Sequence, residues 1–463
     1  MNDGNAATRV IQDLRDRAAA AAPGTRLPSV RELTARHGAS PVTVAEAIRV
    51  LTGQGVLETR PGRGTFVAER PRAPHPPDLS WQTVALGPAR AGEDDMRALL
   101  SLPPAGAIPL TGGYLEAELQ PVAALGAALA RAARQPAAWQ RGPAEGREDL
   151  RDWFARRLGT GLRARDLVIC PGGQAALSSA LRALAAPGDT LLVESPTYLG
   201  ALAAARAGGL RVVPVPADAD GVQPGQLAAA FARTGARLFY CQPLYANPTG
   251  ATLGGDRRAA VMDAVRDAGA FLIEDDYARD LTIDGDPPAP LAAADPDGHV
   301  VYLRSLTKSA APGLRIAAIG ARGPAGARLR AARLLDDFFV AGPVQQAALD
   351  FVTGPGWVRH LRTLRSDLES RRAALVRALE RHLPELAPAV LPRGGLHLWV
   401  RLPDGCDDVA VTAAAAAEGV VVFPGRPWFP AEAPAPHLRL TYAAAPPDLM
   451  DAAVRRLARA FPR

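Results

Sequence analysis

From Ile108 onward, short apolar runs alternate with longer stretches rich in Ala, Arg and Leu. The runs Leu167–Cys170, Thr190–Glu194, Arg211–Val215, Leu238–Cys241, Phe271–Glu274, Val300–Leu303 and Ile316–Gly320 are almost wholly apolar. A strand reads this way when both of its faces are covered, so the pattern predicts a mostly parallel sheet. Between the runs, Gln174–Ala185 and Asp256–Ala268 space their apolar residues at a helical period. A long helix near Trp357–Leu383 is expected next, then a smaller α+β unit over Val390–Leu402 and Val420–Tyr442. The Ala/Val stretch Val409–Phe423 is broken by Glu418 and reads as a helix followed by a strand.

The first 68 residues have a different rhythm. Ser29 caps a short helix carrying Leu33, His37-Gly38 ends it, and Ser40 caps a second helix with Pro41 at its first position. Val56–Val67 holds Gly62-Arg63-Gly64 between two extended stretches, the pattern of a tight hairpin. Between these regions Arg70-Pro-Arg-Ala-Pro-His-Pro-Pro opens a proline-rich linker, with one short helix expected near Glu93–Leu100.

Composition narrows the class. With 463 residues, 48% of them apolar and 22% charged, the chain is globular and large enough for several domains. The polar start lacks the apolar core of a secretory signal, and no apolar run reaches the length of a membrane span. Cys170, Cys241 and Cys406 are too far apart to make a disulfide framework or a metal site, and a cytoplasmic protein is expected. Residues 1–72 hold 11 Arg against 7 Asp and Glu within a chain of net charge +6, and basic charge at one end suggests a nucleic-acid module.

The 53 basic side chains include a single lysine, Lys308. A position that keeps an amine in an arginine-dominated chain suggests imine chemistry, which a guanidinium cannot perform. Chance survival in an arginine-biased chain is the alternative, and the neighbouring motifs decide between the two. Cys170-Pro-Gly-Gly-Gln follows one strand and opens a helix, which suits a phosphate. Tyr245-Ala-Asn-Pro-Thr-Gly follows another, and Asn247 offers a donor to a phenolate-like oxygen. Asp275 lies at the end of a third, where a carboxylate pairs with a protonated pyridine nitrogen. Ser305-Leu-Thr-Lys308 follows a fourth, with Arg315 seven residues on. Motifs at successive strand ends of a doubly wound sheet describe one site, and its donor set is the one pyridoxal 5′-phosphate needs.

These motifs resemble the fold-type I aminotransferases of class I over about residues 108–463. By that resemblance Lys308 forms the internal aldimine, Asp275 pairs with the pyridine nitrogen, and Asn247 and Tyr277 hold the 3′-oxygen. Gly173, Gln174, Ser305 and Arg315 gather the phosphate, Tyr198 stacks on the ring as a further catalytic residue, and Arg439 takes a substrate α-carboxylate. Two departures stand out. The tyrosine usually offered across the dimer to the phosphate is missing from Trp139-Gln-Arg141-Gly-Pro, and Tyr277 follows Asp275 by two residues instead of three.

The head resembles the winged helix-turn-helix of the GntR family, through Arg26-Leu-Pro-Ser, Arg31-Glu-Leu, Thr43-Val and Gly62-Arg-Gly-Thr-Phe-Val. The resemblance gives Arg31, Ser40, Thr43, Gly62 and Arg63 as DNA contacts. Pro41 and Ala45 stand where that family often has basic residues. Head and body together resemble the MocR subfamily of transcriptional regulators. The fold expected is a winged helix-turn-helix (α+β) over residues 1–70, a linker over 71–106 and an α/β fold-type I body over 107–463. Within the body the large domain covers about 150–350, and the small α+β domain covers about 351–463 plus the N-terminal segment. The partners implied are double-stranded operator DNA, an amino compound or B6 vitamer as effector, and a second copy in a domain-swapped homodimer. An active amino acid:2-oxo acid aminotransferase with an accessory DNA-binding head is the alternative.

Overall fold

Val10, Leu14, Leu33, Val44, Ile48 and Leu51 are buried together where helices Asp3–Ala20, Val30–His37 and Pro41–Gly53 close on one another. The computed structural model describes residues 3–69, 78–86, 93–159, 161–388 and 391–461, in two units, Met1–Pro88 and Ala89–Arg463. In the first unit, helix Val30–His37 starts as its sequence dictates. Ser29 Oγ accepts from Glu32 N at 3.3 Å while Glu32 Oε2 accepts from Ser29 N at 2.7 Å. The left-handed Gly38 ends that helix, and Ser40 Oγ accepts from Thr43 N at 3.1 Å to start the next. Strands Leu57–Arg60 and Gly64–Val67 pair antiparallel, and Gly62 takes a φ of +70° in the turn, where a side chain would be strained. Ser29→Ala removes one half of this reciprocal cap. The head should lose about 1 kcal/mol, read as a lower unfolding midpoint for this unit alone.

In the second unit, eight strands among the described residues form one sheet. Their order is Leu167–Cys170, Ala317–Gly320, Val300–Ser305, Phe271–Asp275, Leu238–Cys241, Thr190–Ser195, Arg211–Asp218 and Gly221–Val222. Five consecutive members, from Val300–Ser305 to Arg211–Asp218, run parallel. Ala317–Gly320 runs antiparallel to both neighbours. Only the stretch 306–316, with the short turn Pro312–Leu314, separates it from Ser305, too little for the helical crossover a parallel return requires. Arg211–Asp218 is longer than its apolar run and largely uncovered, because beyond it lies only the two-residue strand Gly221–Val222. Helices Gly173–Leu184 and Gly255–Asp267 pack on the sheet, so the carboxyl ends of the parallel strands converge at one edge.

Helix Pro355–His382 leads into a three-stranded sheet of His397–Arg401, His437–Thr441 and Phe423–Pro424. Leu368, Leu375, Leu398, Leu440, Met450 and Val454 share its core. Strand Ile108–Pro109 pairs with Val420–Val421, which brings the start of the body beside the strand carrying Arg439. Of the linker expected over 71–106, residues 71–77 and 87–92 lie outside the described residues; helices Ser80–Leu86 and Glu93–Leu100 lie within it. No helix among the described residues is long and apolar enough to cross a membrane.

Candidate functional site

In the head, Arg31, Ser40, Gly62 and Arg63 are exposed and Thr43 is half-buried. Arg31 lies on helix Val30–His37, Ser40 and Thr43 at the start of helix Pro41–Gly53, and Gly62 and Arg63 at the hairpin tip. The Ser40 and Thr43 hydroxyls are 2.8 Å apart, so capping already engages both.

All nine residues expected around a cofactor line one cavity at the carboxyl edge of the large sheet. Gly173 and Gln174 start a helix there, Asp275 and Ser305 end adjacent strands, and Tyr198, Asn247, Tyr277, Lys308 and Arg315 come from the loops beyond strand ends. Gly113, Tyr114, Gln242, Thr307 and His397 line the same cavity and were not singled out in the sequence. Arg141 is exposed and is not among the lining residues.

Asp275 is built as an acceptor with a free face. Its Oδ2 accepts from Tyr240 Oη at 2.7 Å and from Gln242 Nε2 at 2.9 Å, while Oδ1 is buried with no partner among the described residues. Burial pushes the carboxyl up to about 6, against the lowering effect of those two hydrogen bonds. Gln242 also accepts from Asn247 N at 2.9 Å, so one amide fixes both Asp275 and the Asn247 loop. Asn247 Oδ1 accepts from Arg439 Nη1 at 3.2 Å, which leaves its amide nitrogen to donate elsewhere. The Tyr277 hydroxyl donates to the Tyr245 carbonyl at 2.8 Å.

Gly172 has a φ of +96°, and a Cβ there would fall 2.5 Å from Arg315 Nη2. The positive φ favours glycine in this strand-to-helix turn, and the Arg315 guanidinium lies against it, so the two form one cradle. Ser305 Oγ accepts from Thr307 N at 3.1 Å, and Thr307 Oγ1 is buried without a partner among the described residues. Backbone N–H groups at a helix start, two hydroxyls and a guanidinium are a donor set for a dianionic phosphate. Together with the unpaired Asp275 Oδ1, this set fits pyridoxal phosphate.

Lys308 Nζ donates to the Gly113 carbonyl at 2.7 Å and lies 3.7 Å from the centre of the Tyr114 ring. Burial draws its amine down to about 7; the Arg439 charge adds to this, as does that of Arg315, and Asp275 opposes it. Beneath the loop carrying Lys308, Arg304 pairs with Asp280 at 2.6 Å, and Asp276 joins Arg279 and Tyr302. Arg439, 1% exposed, is held by the Gly112 carbonyl at 2.6 Å and lies 4.5 Å from the Trp428 ring centre. Its Nε has no partner among the described residues. Lys308, which lines the cavity, and Arg439, which does not, thus rest on consecutive carbonyls, Gly113 and Gly112, of a segment tied at either end through Leu110 to Val421 and Glu116 to Ala443.

Residues 111–457 match the family described as aminotransferase class I and II, and residues 5–67 match the gntR family of bacterial regulatory proteins. The HTH-type transcriptional regulator YisV of Bacillus subtilis is 31% identical, over 82% of this chain and 80% of its own. The probable rhizopine catabolism regulatory protein MocR of Rhizobium meliloti is 26% identical, over 94% of this chain and 89% of its own. Among solved structures, LysN, the α-aminoadipate aminotransferase of Thermus thermophilus in complex with N-(5′-phosphopyridoxyl)-L-leucine, superposes with a TM-score of 0.76. It is 29% identical and covers 82% of this chain and 98% of its own.

Proposed function

We propose that this chain, which belongs to the aminotransferase class I and II family and carries a GntR-family head, is a pyridoxal phosphate-dependent transcriptional regulator that senses an amino compound or the vitamer itself. Residues 1–70 bind double-stranded operator DNA, 71–106 link, and 107–463 sense, in a cytoplasmic homodimer. The observation that carries the reading is the convergence of Lys308 and the half-satisfied Asp275 on one cavity, with the buried Arg439 behind it bonded to the lining Asn247, in a chain whose head is a winged helix.

When bound, pyridoxal phosphate supplies an aldehyde that condenses with primary amines and a ring nitrogen that withdraws electrons once protonated. Asp275 Oδ1 accepts that ring N–H, and Tyr240 and Gln242 hold the carboxylate in line. Gly173, Gln174, Ser305 and Arg315 would take the phosphate, Asn247 the 3′-oxygen, joined by Tyr277 once its hydroxyl turns from the Tyr245 carbonyl, and Tyr198 the ring face. Lys308, close to neutrality at physiological pH, would offer the nucleophilic amine that holds the cofactor's aldehyde. Arg439 selects ligands bearing a carboxylate.

The glycine carbonyls make the site a switch. A carboxylate arriving at Arg439 would displace the Gly112 carbonyl, and an amine that frees Lys308 would return it to the Gly113 carbonyl. The two exchanges would change the hold on the segment that runs back along the chain to the linker. The ligand therefore makes different contacts in the two states, as any population shift requires.

The near-neutral Lys308 amine would also serve as a proton carrier, which favours a second reading, an active aminotransferase with an accessory head. Titrating the cofactor-loaded protein with amines while recording its spectrum and its binding to DNA upstream of its own gene separates the two. Amine-dependent, salt-sensitive DNA binding supports the regulator. Fast turnover of amino donors and 2-oxo acceptors without DNA binding overturns it. Within the regulator reading, Arg31→Ala should weaken operator binding by about 1–3 kcal/mol if it meets a base, or reduce the salt slope if it meets phosphate; binding across a salt series tells which.

A further inference from the structure

His397 opens strand His397–Arg401 opposite Thr441 and is 3% exposed. It lines the same cavity as Lys308 and Asn247, and its Nε2 lies 3.4 Å from Arg439 Nη1. A guanidinium carries donors only, so the imidazole nitrogen facing it is the acceptor. Burial, reinforced by the charges of Arg439 and Lys308, holds the ring well below its ordinary titration range, and it is neutral. A neutral imidazole has one N–H, which therefore sits on Nδ1. That Nδ1 is buried and has no partner among the described residues. A buried donor left unpaired disfavours any ligand that cannot satisfy it.

We propose that His397 is a specificity-determining residue, whose Nδ1–H selects amino acids carrying a hydrogen-bond acceptor on the side chain, a carboxamide or a carboxylate, over apolar side chains of equal size. The inference rests on the reading that Arg439 takes the α-carboxylate. The two ring nitrogens lie on different edges of the imidazole, and Nε2 already faces Arg439. His397 lines the cavity and its Nδ1 is the ring nitrogen left without a partner, so a ligand seated there satisfies it only by bringing a second group, an acceptor. Cationic side chains are disfavoured by the charges of Arg315 and Arg439 around the site. A site built to hydrogen-bond one substrate group rejects the isostere lacking it far better than an apolar pocket rejects an added polar group.

The test is calorimetric titration of the full-length, cofactor-loaded protein with two near-isosteric pairs, L-asparagine against L-leucine and L-glutamine against L-norleucine. Wild type should favour the polar member of at least one pair by on the order of tenfold or more. His397→Phe, which keeps an aromatic ring but has no nitrogen, should erase that preference. His397→Asn, whose amide places an N–H near the position of Nδ1, should restore most of it. Variants are compared at equal cofactor occupancy and with matching melting curves, so that misfolding is not read as lost selectivity. Equal affinities in wild type, or an unchanged preference in His397→Phe, overturn the inference while leaving the amino-compound reading in place. If no amino acid binds while the cofactor is loaded, that reading falls and this inference falls with it.

Discussion

Lys308→Ala should abolish the visible absorbance that distinguishes the cofactor-loaded protein, and Lys308→Arg should do the same despite keeping the positive charge. The effect is all-or-none because Lys308 is the only lysine in the sequence, so no other side chain offers a primary amine. Guanidinium does not replace it: its nitrogens share one delocalised charge and stay protonated at any pH the protein survives. Borohydride reduction of the loaded wild type followed by peptide mapping should place the label on the peptide containing Lys308. A band that survives Lys308→Ala, or an unlabelled peptide from saturated wild type, would show that the cofactor is held some other way. The pH dependence has a definite sign. An amine attacks as its free base, and burial has brought that of Lys308 down to about 7 from an ordinary value of 10.5. The rate of cofactor capture should therefore rise as pH climbs through about 7 and level off above it, where an exposed lysine would still be gaining up to pH 10.

The parts of the site legible in the sequence were those that sit at strand ends. Asp275, Ser305 and Gly173 are each fixed by a short apolar run and the turn that follows, and a run buried on both faces is hard to misread. The direction of Ala317–Gly320 was not legible, because periodicity reports burial and says nothing of which way a strand runs. Gly113 and Tyr114 stayed hidden for another reason. Gly113 meets Lys308 across 195 residues of sequence, through a backbone carbonyl that no side-chain motif records. Gln242 had a usable signal, since it follows strand Leu238–Cys241 directly and such positions feed the site elsewhere in the sheet. His397 had a weaker one, a titratable residue set in the apolar run Leu396-His-Leu-Trp-Val, and only its pairing with the strand of Arg439 gives it meaning. Sequence order locates the groups that line the cavity from the strand ends. The groups that position them, or stand in for the ligand, emerge only when distant strands are brought side by side.

Arg439→Ala should cost a carboxylate-bearing effector about 2–5 kcal/mol of binding, which is roughly thirtyfold to several thousandfold in Kd. The size follows from burial: Arg439 is 1% exposed, so a carboxylate reaching it is stripped of water and has no comparable partner once the guanidinium is gone. The diagnostic comparison is between an amino acid and the amine left when its carboxylate is removed. Wild type should bind the acid far more tightly, and in Arg439→Ala the two should become nearly equal because only the acid loses a partner. Equal losses for both would mean that Arg439 supports the fold of the site instead of reading the ligand. The same variant bears on signalling, because Arg439 also holds the Gly112 carbonyl at 2.6 Å and its removal releases that side of the segment without any ligand. DNA binding by unliganded Arg439→Ala should therefore move toward the value that effector-saturated wild type shows. Should Arg439→Ala instead keep the wild-type DNA response in full, the carboxylate contact has no part in regulation and the B6 vitamer is itself the signal.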